Sequence, residues 1–156
     1  MQDDGQALAT AEEFHSLAVR RLLSRHGRLW TQQVSTDHTS IQFGLLLCLA
    51  RSAGGLSQSE IAEQLAVDRA TLTELVHRMS AQGHVTVSRD PRDGRRRVAT
   101  LTDSGRDLLR QLYRPALEVN ERLFNPLTAE ETNQLTGLLR RVLAHDTDPA
   151  SVPERP

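Results

Sequence analysis

Apolar residues recur along most of the chain at the spacing of helices that bury one face. Between about 11 and 35 the stripe is Phe14, Leu17, Ala18, Leu22, Leu29 and Trp30, and Arg20, Arg21, Arg25 and Arg28 crowd the other faces. The next helix, roughly 39–52, is apolar almost all round, which predicts a buried place in the middle of a domain. Gly54-Gly55 ends it. Two short helices follow near 57–65 and 69–82, the second closed by Gly83. The period then changes. Val85, Val87, Val98 and Leu101 lie in β-like runs at 84–89 and 96–101, separated by Asp90-Pro91-Arg92-Asp93-Gly94. This predicts a two-stranded hairpin with a charged tip. Helical spacing returns with Leu108, Leu109, Leu112, Leu117 and Leu123, capped by Thr102 and ending before Pro126, with Pro115 expected to kink it. Thr128 and Glu131 form a capping box for a last helix to about 144, whose stripe is Leu135, Leu138, Leu139, Val142 and Leu143.

The pattern predicts a mainly α fold with a small β-hairpin wing, as one domain over 11–145. Residues 1–10 read as a frayed polar start, and 146–156, with three prolines, as a disordered tail. The 156 residues suffice for one core, and with aromatics at 3% that core must be built from Leu, Val, Ile and Ala.

The net charge of -1 does not by itself announce a polyanionic partner, so its distribution matters more. All 19 basic residues are Arg, which suits phosphate and guanine but also follows from a GC-rich genome. Cys48 is the sole cysteine, so no intrachain disulfide or cysteine metal cluster can form. The Met-Gln-Asp-Asp start and the lack of an apolar run of ~18–20 residues predict a cytoplasmic protein without a membrane segment. His15, His26, His38, His77, His84 and His145 are scattered, with no HExxH, no phosphate-binding glycine loop and no Gly-x-Ser-x-Gly elbow. The expectation is therefore no enzyme, no catalytic residue, no metal and no cofactor.

The segment from Gln58 to Met79 carries the informative chemistry. A helix-turn-helix needs two short helices locked at a steep angle by a small residue and apolar neighbours. Ala62 supplies the small contact, Ile61, Leu65 and Val67 bracket the turn, and Leu72, Leu75 and Val76 face inward. Ser57 can cap the first helix, beside Gln58, and Asp68 the second. Arg69, Ala70, Thr71, Thr73, Glu74, His77 and Arg78 then project outward, where a recognition helix meets the major groove. Glu74 would accept from a cytosine amino group or orient a neighbouring Arg; the sequence does not choose. From 84 to 101 five arginines (Arg89, Arg92, Arg95, Arg96, Arg97) stand against two aspartates (Asp90, Asp93), a basic wing placed to follow the backbone. A helical module that binds protein instead of DNA is the alternative reading of the same pattern.

Leu56-Ser-Gln-Ser-Glu-Ile-Ala-Glu-Gln-Leu65, Asp68-Arg-Ala-Thr-Leu-Thr73 and Asp90-Pro-Arg-Asp-Gly-Arg-Arg-Arg-Val-Ala-Thr-Leu-Thr-Asp-Ser-Gly105 resemble the MarR family of regulators, over about 12–144. The resemblance implies a winged helix-turn-helix at about 39–101 and dimerisation helices at about 11–35 and 103–145. It implies a homodimer on a pseudo-palindromic duplex operator, with half-sites about 34 Å apart. It implies that Arg95 enters the minor groove and that Asp93 holds it in place. Repression is the habit of the family. Many relatives release DNA when a phenolic or aromatic acid, or its coenzyme A thioester, fills a cleft between lobes. The matching candidates here are Arg21, Arg25, His26 and Trp30. Against this, Trp30 simply packs at the dimer core and the arginines are solvated. Oxidant sensing through Cys48 is a further alternative, disfavoured by its apolar setting. Two departures stand out: Ala66 where the turn often has Gly, and Glu74 where basic or neutral residues are common.

Overall fold

In the computed structural model, which describes residues 14–90 and 93–145, the apolar stripes become α1 (His15–Gln33), α2 (Ser40–Ala50), α3 (Gln58–Leu65) and α4 (Arg69–Ala81). The hairpin β1 (Val85–Arg89) and β2 (Arg97–Leu101) follows, then α5 (Asp103–Phe124) and α6 (Ala129–His145). The frayed start and the disordered tail expected at 1–10 and 146–156 lie outside the described residues, as does Arg92. No helix among the described residues is long and apolar enough to cross a membrane.

The helix that is apolar all round lies where its pattern requires. Leu45, Leu46 and Leu49 of α2 are buried against Ile61 of α3, Leu72, Val76 and Met79 of α4, Ala99 of the hairpin, and Leu108 and Leu112 of α5. Removing this aliphatic surface from water contributes most to holding the winged lobe together. α1 packs along α5, with Leu29 and Trp30 buried. Pro115 sits inside α5 without ending it.

β1 and β2 pair antiparallel, with Val85 opposite Leu101 and Arg89 opposite Arg97. The sequence pattern did not reveal a third piece of this sheet. Leu56 donates to the Ala99 carbonyl at 3.0 Å and accepts from the Ala99 N–H at 2.8 Å. The preceding Gly55 (φ 78°) makes this approach feasible, because a Cβ there would stand 2.7 Å from the Ala99 oxygen.

α6 differs from the rest. None of its side chains described in the structure is buried, and Val142 and Leu143 are 68% and 59% exposed. Leu138 on the same helix and Phe14 and Leu23 at α1 are also exposed. The apolar stripes of the terminal helices are therefore only partly used within one chain.

Candidate nucleic-acid interface

Ser57 caps α3, and Glu60 completes a capping box there. At the far end Ala66 takes the left-handed conformation (φ 50°, ψ 48°), the only non-glycine positive φ among the described residues. Its N–H donates to Glu63 and that of Val67 to Ala62, which turns the chain sharply into α4. The place where relatives often carry Gly thus has the geometry that favours Gly, occupied by Ala at some strain.

Asp68 caps α4 by accepting from the Thr71 N–H at 2.9 Å and the Thr71 hydroxyl at 2.6 Å. Those bonds, the hydroxyl one first, hold its carboxyl below the usual range. Leu72, Leu75, Val76 and Met79 face inward, while Arg69, Ala70, Thr71, Thr73, Glu74, His77 and Arg78 are exposed, as the pattern predicts. The Thr73 hydroxyl donates to the Arg69 carbonyl at 2.8 Å. Both threonine protons are therefore engaged within the protein. What Thr71 and Thr73 offer outward is oxygen lone pairs and methyl groups, which fits base amino donors and thymine methyls.

At the wing tip the Asp93 carboxylate accepts the Arg95 backbone N–H at 3.0 Å, and its carbonyl accepts the Arg96 N–H at 2.9 Å. The resemblance implied that Asp93 holds Arg95 in place; the contact of this carboxylate is with the Arg95 main chain. Arg89, Arg95 and Arg97 are exposed.

Arg96 behaves differently. Its guanidinium turns inward onto the Glu60 carboxylate and lies 3.9 Å from Asp90. Glu60 also accepts the Ser57 N–H at 2.7 Å and the Ser57 hydroxyl at 2.8 Å. These donors, the Ser57 bonds before Arg96, lower its pKa to about 2. Among the described wing arginines read as DNA contacts, Arg96 is thus the one whose guanidinium pairs with a carboxylate of the fold. Glu60 was missed as its partner because the pairing spans 36 positions, beyond any local pattern.

Helix and wing share one concave surface. A cleft of about 820 Å³ is lined by Ser57 and Gln58 from the start of α3, Thr73 and His77 from α4, and Thr86 and Arg97 from the hairpin. Arg96 and Arg97 are the arginines that line it, so it carries local positive charge although the chain's total charge is near zero.

A second cleft, of about 500 Å³, opens between α1, α2 and α5. His26 and Trp30 line it, with Ile41, Phe43, Leu123 and Phe124. The Trp30 ring lies 5.9 Å from that of His26 and 5.5 Å from that of Phe43, and its indole N–H donates to the His38 carbonyl at 2.6 Å. Trp30 is buried within its own subunit. Arg21 and Arg25 do not join this cleft. They line a separate groove on α1 with Arg20 and Arg28, because Leu17, Arg21, Arg25 and Arg28 share one face at three- and four-residue spacing while Leu22, His26 and Trp30 share another. The four residues grouped from sequence as a ligand site therefore divide into two pairs. The apolar walls from α2 and α5 carried no sequence signal, since they also read as ordinary core.

Burial pushes the Cys48 thiol up despite the opposing charge of Arg51, which disfavours the reactive thiolate. Among the described residues no three His, Cys, Asp or Glu gather as a metal site.

A sequence model of the MarR family matches residues 36–96. The HTH-type transcriptional repressor NicR of Pseudomonas putida is 36% identical over 129 residues, 82% of this chain and 81% of that protein. The fold is similar to that of the PcaV transcriptional regulator of Streptomyces coelicolor in complex with its natural ligand. There the TM-score is 0.80 at 34% identity, over 88% of this chain and 96% of that one. It is similar also to BpsR of Bordetella bronchiseptica, whose DNA binding is regulated by 6-hydroxynicotinic acid. That match has a TM-score of 0.70 at 29% identity, over 82% of this chain and 97% of that one.

Proposed function

Because the chain belongs to the MarR family of transcriptional regulators, we propose that it is a homodimeric repressor that binds a pseudo-palindromic duplex operator and lets go when a small aromatic acid fills the α1–α2–α5 cleft. The carrying observation is the concave surface that unites the α3 start, the outward face of α4 and the basic hairpin. A helix-turn-helix with its wing on the same side is what a duplex needs: α4 for the major groove, Arg95 for the adjacent narrow one.

On this reading Arg69, Thr71, Thr73, Glu74, His77 and Arg78 meet base edges and nearby phosphates. Ser57, Gln58, Arg89, Arg92 and Arg97 hold the backbone, and Arg96 with Glu60 fixes the wing to the helix pair. The unit is a single domain over 11–145. Its exposed stripes on α1 and α6 (Leu23, Leu138, Val142, Leu143) are covered in the dimer. The cleft is mostly apolar with His26, Ser40 and Asn120 as its polar groups, which suits a flat ring bearing an acid. NicR being a repressor and BpsR answering to 6-hydroxynicotinic acid support repression and this ligand class.

Binding selection on random duplex DNA tests the function. Recovery of an inverted repeat, with affinity falling steeply as salt rises, is the expected result. Absence of any enriched duplex would overturn it in favour of a protein-interaction module.

A further inference from the structure

His38 and His84, far apart in sequence, meet edge to face with ring centroids 5.9 Å apart. His84 stands where three elements join. It follows Gly83 at the end of α4 and leads into β1. Its N–H donates to the Met79 carbonyl at 3.0 Å, its carbonyl accepts the Thr102 N–H at 3.2 Å, and its Nδ1 lies 3.0 Å from the Ser104 hydroxyl. The start of α5 presses so closely here that a Cβ on Gly105 would stand 2.0 Å from the His84 carbonyl oxygen. The same residue therefore ties together the recognition helix, the wing and the long helix that runs to the α1 lobe.

His38 brings in the second cleft. It lies in the α1–α2 loop, and its carbonyl accepts the indole N–H of Trp30, which lines that cleft. Its Nδ1 is sealed from solvent without a hydrogen-bond partner among the described residues. The path from cleft to wing is thus Trp30, His38 and His84, with Ser104 tying His84 to the start of α5.

We propose that His38 and His84 form a proton-sensitive joint between the effector cleft and the DNA-reading lobe, which holds the lobe in place while both rings are neutral and loosens it when the pair takes up charge. Two facing imidazoles repel once both are charged, and a sealed ring nitrogen has no acceptor for an added proton. Burial, and then His38, push His84 below the ordinary imidazole range. The charged groups nearest the pair along the chain are Asp37, Arg78, Asp103 and Arg106, all exposed, with Asp103 paired with Arg106 at 3.1 Å; Arg69, Glu74 and His77 of α4 and Asp107 and Arg110 of α5 lie farther along their helices. β1 and β2 carry none at this end. A group whose folded pKa is depressed stabilises the fold above its unfolded value, near 6.5 for His, and the stabilisation is lost as pH falls. Acid, like an effector, would release DNA.

The proposal rests on the DNA-regulator reading, so the test has arms that do and do not involve DNA. Ring resonances of the full chain are followed by NMR from about pH 8 to 5, with melting midpoints, for wild type, His38→Gln and His84→Gln. Affinity is measured over the same range for a duplex recovered by selection. Any acid dependence of DNA binding from groups outside the pair is common to every variant, so the difference between wild type and variant is the readout. Relative to His84→Gln, wild-type affinity should fall by about fivefold or more on acidification, the lower end of common coupling factors. His84 should titrate below the free imidazole and move up in His38→Gln. Parallel affinity profiles in all three proteins would overturn the joint, as would unchanged His84 titration in His38→Gln. If wild type binds no duplex at any pH, the functional reading falls. The ring titrations and midpoints then still decide whether the pair is coupled. Should His84→Gln not fold, His38→Gln carries the same comparison.

Discussion

Arg96, just ahead of β2 on the tip side of the wing, closes its guanidinium on the carboxylate of Glu60 in the first turn of α3, 36 positions earlier. Glu60 is at the same time the acceptor that completes the Ser57 capping box. A helix cap and a wing anchor therefore share one carboxylate, and losing it should loosen both.

Glu60→Gln keeps the size of the side chain and removes the charge. The group is 43% exposed, so solvent screens the pairing and the expected loss is about 1 kcal/mol. For a chain of this length that lowers the melting midpoint by about 2–4 °C. The pH profile has a definite sign. With the folded pKa depressed to about 2 from 4.5, the stabilisation is complete above about 4.5 and lost as pH falls toward 2. Melting curves across that window should decline more steeply for wild type than for Glu60→Gln; superimposable profiles would show that the carboxylate contributes nothing.

Arg95→Ala should weaken binding to every duplex alike. It should also reduce the slope of log affinity against log salt by about 1, the signature of one lost phosphate-track contact. Fluorescence anisotropy with a selected and a scrambled duplex checks this. The fold should be untouched, because the tip is held through the Arg95 main chain.

Thr71→Ser separates the two tasks of that side chain. The hydroxyl that donates to Asp68 remains, so the α4 cap and the melting midpoint should hold. The methyl is lost, so preference should relax at a thymine-containing position and nowhere else. Repeating the duplex selection with this variant checks it, and an unchanged recovered sequence would remove Thr71 from the base-reading set.

Ala66→Gly should stabilise the protein. A left-handed alanine costs roughly 1 kcal/mol, partly offset by the greater freedom of unfolded glycine. Chemical denaturation should shift to higher denaturant with an unchanged slope, and the recovered operator should stay the same.

Val142→Glu and Leu143→Glu place charges on the most exposed part of the α6 stripe. Sedimentation should show a shift from dimer toward monomer, and half-site binding should lose its inverted-repeat preference. A dimer that survives both changes would put the interface elsewhere.

The elements were legible because their signals are local. Capping residues such as Ser57, Asp68, Thr102 and Thr128 each sit within four positions of the group they satisfy. The stripe of α4 divides its inner and outer faces without reference to any other part of the chain. What escaped is what only folding brings together. The Leu56 bridge to Ala99 joins a loop to a strand that no pairing pattern announces. From sequence Arg96 reads as a DNA contact, and nothing marks Glu60 as its partner. Arg21 and Arg25 were grouped with His26 and Trp30 by nearness in sequence, whereas the helical turn sends them to another face. His38 and His84 were two among scattered histidines until the α4–β1 junction set them side by side.

The two hydrogen bonds between Leu56 and Ala99 have a mechanical consequence. They clamp the entry to the helix pair onto the strand that carries the hairpin tip, so these parts travel as one reading head. A sliding tip cannot serve to accommodate a different operator. The adjustable quantity is the distance between two heads across the dyad, set where each head hangs from its long helix. Changes in half-site spacing, more than changes in the letters of a half-site, are therefore what this architecture can respond to quickly.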